Sequence, residues 1–183
     1  MNILHISTHL DKGGIVSYLS SLAIALQKRG HTMVVASSGG HNEALLTQHG
    51  IEVLTIPIRT KNQISPRLVV SYFMLKKYLA QNPIDVIHAH TRVTQVLATF
   101  LSKKNAIPLV TTCHGFFRPR WHRRMFPCWG DTVIAISSQV KQHLMTDFGV
   151  AEKDICLIHS GGDIERLKAA SPEEKAALKK EIG

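Results

Sequence analysis

The residues best suited to chemistry lie in loops that follow short apolar runs. Lys12-Gly13-Gly14 stands between a strand predicted at residues 3–7 and a helix that begins near Ile15. Adjacent glycines let a ligand approach the backbone closely, and the start of a helix offers free N–H groups and the positive end of its dipole. The loop is therefore suited to a phosphate group, although a simple tight turn has the same composition. It matches neither a P-loop nor the Gly-x-Gly-x-x-Gly fingerprint, which disfavours a nicotinamide or flavin enzyme.

His114 follows a strand predicted at residues 109–112. At the carboxyl end of a strand, an imidazole is placed to donate a hydrogen bond to a ligand or to stabilise developing charge. A purely structural histidine is the alternative. Cys113 precedes it, but neighbouring strand residues point to opposite faces, so a Cys–His nucleophile pair is not expected.

His88 and His90 alternate along a strand predicted at residues 85–90, so they share one face. Two histidines and a carboxylate can bind a metal, but Asp85 lies on the opposite face and no third ligand stands at a convincing spacing. We therefore predict no metal site. We expect His88 to be buried and hydrogen-bonded, whereas His90 and Arg92 lie nearer the strand end and can reach a cleft.

The chain is basic, with 22 Lys and Arg against 13 Asp and Glu in 183 residues, a net charge of +9. Part of this charge is interleaved with aromatic residues in one segment, at Arg118, Arg120, Arg123 and Arg124. Such a segment suits an anionic membrane surface, single-stranded nucleic acid, or simply a solvated loop. No nucleic-acid motif accompanies it, so nucleic acid is not a predicted partner.

Sparse, unpaired cysteines and the lack of a long apolar run indicate a reducing, cytoplasmic setting without a membrane span. The three cysteines are Cys113, Cys128 and Cys156.

Apolar runs alternate with helical patterns along the whole chain, which predicts βαβ units. The fold class is therefore α/β, a Rossmann-like parallel sheet with helices on both faces. Strands are predicted at residues 3–7, 33–37, 53–56, 85–90, 109–112, 132–136 and 156–159, and helices at 15–26, 42–49, 66–81, 92–102 and 138–144. Ligands of such sheets bind beyond the carboxyl ends of the strands. We expect one domain over residues 1–165, followed by a linker and a charged helix over 166–183.

Four segments, taken in order, resemble the N-terminal domain of GT-B-fold glycosyltransferases of family 4, which includes many lipopolysaccharide and capsule enzymes. They are residues 3–14 with the helix ending at Arg29-Gly30-His31, residues 85–90, residues 111–115, and residues 133–137 with the helix and strand leading to 158–163. One departure is His-Ser-Gly-Gly-Asp at 159–163, where the family usually has Pro-Asn-Gly-Val-Asp.

The resemblance implies roles for particular residues. Gly13 and Gly14 match the loop that lies against the donor diphosphate, and His114 matches the catalytic-cleft histidine that contacts the transferred sugar. Asp11, Arg92 and the segment from Arg118 to Arg124 fall where such domains shape the acceptor site. The implied reaction is transfer of a sugar from a nucleotide-sugar donor, with retention of configuration, to a glycan or lipid-linked acceptor. No metal and no cofactor beyond the donor substrate are implied.

The resemblance also implies a partner. A C-terminal GT-B domain is expected to hold most of the donor, and without it we expect negligible transferase activity. We expect the protein in the cytoplasm, with peripheral contact to the anionic inner face of the cytoplasmic membrane. The alternative function is a binding module of the same fold that holds a glycan, a nucleotide or an anionic surface without chemistry.

Overall fold

The structure, a computed structural model, describes residues 1–119 and 121–161, and these form a seven-stranded parallel sheet flanked by helices. The strand order is β3-β2-β1-β4-β5-β6-β7. The strands are β1 (Asn2–Ile6), β2 (Thr32–Ser37), β3 (Glu52–Thr55), β4 (Val86–Ala89), β5 (Leu109–Cys113), β6 (Thr132–Ala135) and β7 (Ile155–Leu157). The helices are α1 (Gly14–Lys28), α2 (Glu43–Gln48), α3 (Pro66–Leu79), α4 (Arg92–Asn105), α5 (Trp121–Met125) and α6 (Ser138–Phe148), with a 3-10 turn at Glu152–Asp154.

The predicted α/β class and the predicted strands are confirmed, with ends shifted by one or two residues. Pro66 occupies the first turn of α3 after the N-cap Ser65, as a proline without an N–H is expected to. Ser137 caps α6 by accepting a hydrogen bond from the Val140 N–H at 3.2 Å. The short helix α5 and the 3-10 turn were not predicted, because five and three residues are too few to show a helical period. The proposed boundary at residue 165 and the helix at 166–183 lie outside the described residues.

The two faces of the sheet bury different helices. Leu4 and Ile6 of β1 pack with α3 and α4, in a core that includes Leu75 and Leu101. On the opposite face, Met33 and Val35 pack with α1 and α2, in a core that includes Val16, Leu19 and Leu46. A third cluster joins Val133 and Ala135 of β6 to Val140 and Leu144 of α6. His5 lies between Leu4 and Ile6, so its side chain points to the α1 face.

Strand order reverses at the centre of the sheet. The chain runs outward from β1 to β2 and β3, then returns to place β4 on the other side of β1. This switch leaves a crevice at the carboxyl ends of β1 and β4, where ligands of open parallel sheets bind. The loops that follow β1, β4 and β5 meet there, and they carry the residues singled out from the sequence.

Candidate functional site

Histidines from three adjacent strands line up on the α1 face of the sheet. The strand register pairs His5 of β1 with His88 of β4. His90 follows two residues after His88, and His114 follows one residue after the end of β5. The parallel register thus places these histidines, which are distant in sequence, in one row of side chains that ends at the carboxyl edge of the sheet.

Hydrogen bonds join these rings into a chain. His114 Nε2 lies 3.4 Å from His90 Nδ1, and His90 Nε2 lies 3.0 Å from His5 Nδ1. His88 Nε2 bonds the Thr112 hydroxyl at 2.7 Å. The expectation that His88 is buried and hydrogen-bonded is therefore confirmed.

Tyr18 of α1 closes the site from above the sheet. Its ring meets the His114 ring edge-on, with centroids 4.9 Å apart. Burial raises the pKa of its hydroxyl, so Tyr18 is a neutral hydrogen-bonding group at physiological pH. Tyr18 has no distinguishing sequence signal, because it falls within the helical pattern of α1, whose period is defined by apolar residues.

Burial keeps all four imidazoles neutral. It lowers the pKa of His5 and of His114 from 6.5 to about 4. It also lowers the pKa values of His88 and His90 well below 6.5, and the neighbouring histidines lower them further. At physiological pH each ring therefore has one N–H donor and one lone-pair acceptor.

A chain of neutral imidazoles couples the tautomers of its members. In the described part of the chain, His5 Nε2 is buried and has no hydrogen-bond partner. A proton there would be a buried, unpaired N–H, which is costly. The arrangement that avoids it places the protons on Nδ1 of His5, His90 and His114. His114 then accepts from His90 through Nε2 and keeps its Nδ1–H as a donor for a ligand.

The same rings are the one place in the described residues where histidine, cysteine or carboxylate side chains cluster closely enough to hold a metal. One nitrogen from each of His5, His88 and His90 lies within 4.8 Å of the others. Sequence spacing could not reveal His5 as a third ligand, because only the pairing of β1 with β4 brings His5 beside His88. Metal binding would compete with the hydrogen bond between His5 and His90, so the absence of a metal stays a prediction.

The loop between β1 and α1 lies at the same edge of the sheet. Gly13 and Gly14 both face open space where a side chain would project. Gly13 is the N-cap of α1, and the first turn of that helix contains no acidic residue. The free N–H groups and the helix dipole therefore face a position that a phosphate can reach.

Asp11 is anchored within that loop. Its carboxylate accepts a hydrogen bond from Arg59 at 2.7 Å, and both side chains are partly exposed. Gly40 packs against the backbone of Leu10 and Asp11, and Leu10 exchanges hydrogen bonds with the Gly39 carbonyl and the Asn42 N–H, both at 2.9 Å. Arg59 was not foreseen, because 48 residues separate it from Asp11.

Arg92 and Arg118 lie apart from the histidine row. The Arg92 side chain is largely buried at the start of α4 and donates to the carbonyl oxygens of Phe126 and Pro127 and, at 3.2 Å, to Gln63 Oε1. Arg118 is exposed in the loop after β5. Arg120 lies outside the described residues. Substrate binding by these arginines and by Asp11 stays a prediction.

Cys113 is not paired with His114. Its thiol is buried and donates to the Gly115 carbonyl, while burial raises its pKa to about 11. The Cys113 thiol is therefore protonated at physiological pH, which fits the expectation that no Cys–His nucleophile forms.

No helix in the described ranges is long and apolar enough to cross a membrane.

Solved structures similar to this chain include glycosyltransferases. A glycosyltransferase from Rickettsia africae ESF-5 has a TM-score of 0.78 at 21% identity, covering 100% of this chain and 50% of that one. HepE from Anabaena, solved in complex with UDP-glucose, has a TM-score of 0.75 at 22% identity, with coverage of 100% and 50%. The lipopolysaccharide outer core galactosyltransferase WaaB has a TM-score of 0.65 at 16% identity, with coverage of 87% and 45%.

The chain thus spans about half the length of these structures. No curated protein sequence matches it. The sequence model of Glycosyltransferase Family 4 matches residues 12–166. A family match over most of the chain, on a parallel sheet shared with half of each GT-B neighbour, shows that this chain belongs to glycosyltransferase family 4 and has the fold of a GT-B N-terminal domain.

Proposed function

We propose that this chain is the acceptor-side half of a retaining glycosyltransferase that moves a sugar from a nucleotide-sugar donor to a glycan or lipid-linked acceptor. The observation that carries the proposal is a neutral His114 held by His90 and Tyr18 at the sheet edge that also carries the glycine loop. A hydrogen-bond donor and an open helix N-terminus at one crevice are what a sugar diphosphate requires.

The donor diphosphate lies against Gly13 and Gly14 in this proposal. The first turn of α1 contains no acidic residue that would compete for its free N–H groups. Because Gly13 and Gly14 have no side chains, phosphate oxygens can come close to the backbone. Protein groups then stabilise the leaving diphosphate, so neither a metal nor a further cofactor is needed.

His114 contacts the sugar that is transferred. Because it is neutral, it donates a hydrogen bond without a fixed charge. A carboxylate nucleophile at this place is not proposed, because Asp11 is engaged by Arg59.

The similar structures support the donor class and suggest the acceptor. HepE was solved with UDP-glucose, which supports a nucleotide-sugar donor. WaaB acts on the lipopolysaccharide outer core, which agrees with an acceptor of that kind. Asp11, Arg92 and Arg118 shape the acceptor side in this proposal, at the cytoplasmic face of an anionic membrane.

A C-terminal GT-B domain is the proposed partner, because the chain covers only about half of its neighbours. We expect the 183-residue chain alone to release no measurable UDP from UDP-glucose with a glycan acceptor present. Turnover of UDP-glucose by this chain alone would contradict the proposal that a C-terminal domain is required for transfer.

Donor binding tests the role of His114. In calorimetric titrations with UDP-glucose, we expect His114→Ala to weaken binding about tenfold, the effect of losing one hydrogen bond of about 1.5 kcal/mol. His41→Ala, at an exposed position, is the matched control and is expected to bind as the parent does. Equal affinities for the parent and His114→Ala would remove His114 from the donor site.

A further inference from the structure

A large cavity lies on the sheet face opposite the histidine row, between α3 and α4. Its volume is about 1300 Å³, more than the 300 to 1000 Å³ or so of common ligand pockets. Its apolar lining comes from both helices and includes Leu68, Tyr72, Phe73, Val96, Leu97 and Phe100. A cavity of this size and lining suits an extended hydrocarbon chain.

Lysines stand around this apolar lining. Lys103 and Lys104 lie in the last turn of α4 and line one end of the cavity, whereas Lys61 lines the other end, near Gln63 and Arg92. Among the described lining residues there is no aspartate or glutamate. The cavity is therefore complementary to a molecule that is apolar along its length and acidic at one end.

Large apolar side chains around the cavity are exposed to solvent. Ile64 is 90% exposed, Trp121 is 73% exposed and Phe73 is 60% exposed, and all three line the cavity. A contiguous exposed apolar patch marks a binding surface, and these side chains lose contact with water when a chain occupies the cavity.

One end of the cavity, at the start of α4, lies towards the carboxyl edge of the sheet and contains Arg92. This residue lines the cavity and follows His90 by two positions along the chain. Its guanidinium group holds Gln63 and the carbonyls of Phe126 and Pro127 together. Gln63 and Phe126 also line the cavity, so Arg92 fixes the end of it that lies nearest the crevice.

We propose that this cavity binds one anionic amphiphile, with its hydrocarbon chain between α3 and α4 and its phosphate at Lys103 and Lys104. Binding itself does not depend on sugar transfer and is measurable on this chain.

Dodecyl phosphate, below its micelle concentration, is the probe. We expect saturable binding with a change in tryptophan fluorescence, because Trp121 lines the cavity while Trp129 is buried in another cluster. Inorganic phosphate lacks the chain and dodecyl maltoside lacks the charge, so each is expected to bind at least tenfold more weakly.

Two variants test separately how the hydrocarbon chain and the phosphate headgroup contribute to binding. Phe100→Asp places a charge in the apolar lining, and the double variant Lys103→Glu with Lys104→Glu reverses the headgroup site. Each is expected to weaken dodecyl phosphate binding at least tenfold. Both change exposed positions, and circular dichroism checks that the variants fold. Lys28→Glu with Lys153→Glu, exposed lysines outside the cavity, makes the same charge change as a control and is expected to bind as the parent does.

Several outcomes would overturn the proposal. They are no saturable binding of dodecyl phosphate, equal binding of dodecyl maltoside, or parent-like binding by both test variants. Binding to phosphatidylglycerol vesicles without binding to monomeric dodecyl phosphate would also overturn it, because it would indicate a membrane surface instead of a cavity. UDP-glucose titrations on the same samples distinguish the two proposals. If the parent binds UDP-glucose but not dodecyl phosphate, only the proposed lipid site is wrong. If it binds dodecyl phosphate but not UDP-glucose, only the proposed donor site is wrong.

Discussion

Acidification from about pH 7 to pH 4 is expected to unfold the domain, because three neutral histidines, His5, His88 and His90, are buried in its centre. Burial lowers the pKa of His5 from 6.5 to about 4. Between these values the unfolded chain takes up a proton at His5 and the folded chain does not. The stability that His5 contributes is therefore present above about pH 6.5 and is lost as the pH falls towards 4.

The size of this effect is comparable to the stability of the whole domain. A shift of this size at His5 corresponds to roughly 3 kcal/mol, against the 5 to 15 kcal/mol or so that holds an ordinary domain folded. His88 and His90 act in the same direction, since burial lowers their pKa values too.

Urea unfolding at pH 7 and pH 5 measures this loss. His5→Phe keeps a ring of similar shape but cannot be protonated, so its free energy of unfolding is expected to fall less on acidification than that of the parent. His41→Ala, at an exposed site, is the control and is expected to follow the parent. An equal acid sensitivity in His5→Phe and the parent would show that the buried histidine row does not govern acid stability.

Gly40→Ala is expected to destabilise the domain by more than about 3 kcal/mol and to weaken donor binding as well. Gly40 has φ +146, and a Cβ there would lie 2.5 Å from the Asp11 backbone nitrogen and 2.5 Å from the Leu10 carbonyl carbon. Both the backbone strain and the collision with main-chain atoms oppose the substitution. The atoms that must move belong to the loop that leads to Gly13 and Gly14, so the donor site is disturbed with them.

Gly30→Ala separates strain from collision. Gly30 also has a positive φ, +84, but nothing lies within 4 Å of its added Cβ. It is therefore expected to cost only the conformational penalty of about 1 kcal/mol, with unchanged UDP-glucose affinity. Thermal unfolding and calorimetric titration of both variants check this. If Gly40→Ala reduced the free energy of unfolding no more than Gly30→Ala, the contact of Gly40 with the backbone of Leu10 and Asp11 would not stabilise the domain.

Local features of this fold follow from the sequence, whereas contacts between strands do not. Short apolar runs predict the strands, and Pro66 and Ser137 predict helix starts. The position of His114 after a strand predicts its place at the sheet edge. Each of these depends on neighbouring residues only.

The partners of the site residues could not be predicted in the same way. His5 belongs to the histidine row because β1 pairs with β4 in a particular register, and periodicity does not specify register between distant strands. Arg59 meets Asp11 for a similar reason. Arg92 was expected at a cleft, and its spacing could not show that its guanidinium would bond the carbonyls of Phe126 and Pro127.

The central claim, a nucleotide-sugar site at the carboxyl edge of the sheet, is tested most directly by amide chemical shifts. A ¹H–¹⁵N titration of the chain with UDP-glucose is expected to move the resonances of Gly13, Gly14, Tyr18 and His114 together, along one saturation curve. The amides of the α3–α4 cavity, Phe100 among them, are expected to stay in place. Shifts confined to that cavity, or no shifts at millimolar donor, would contradict the account.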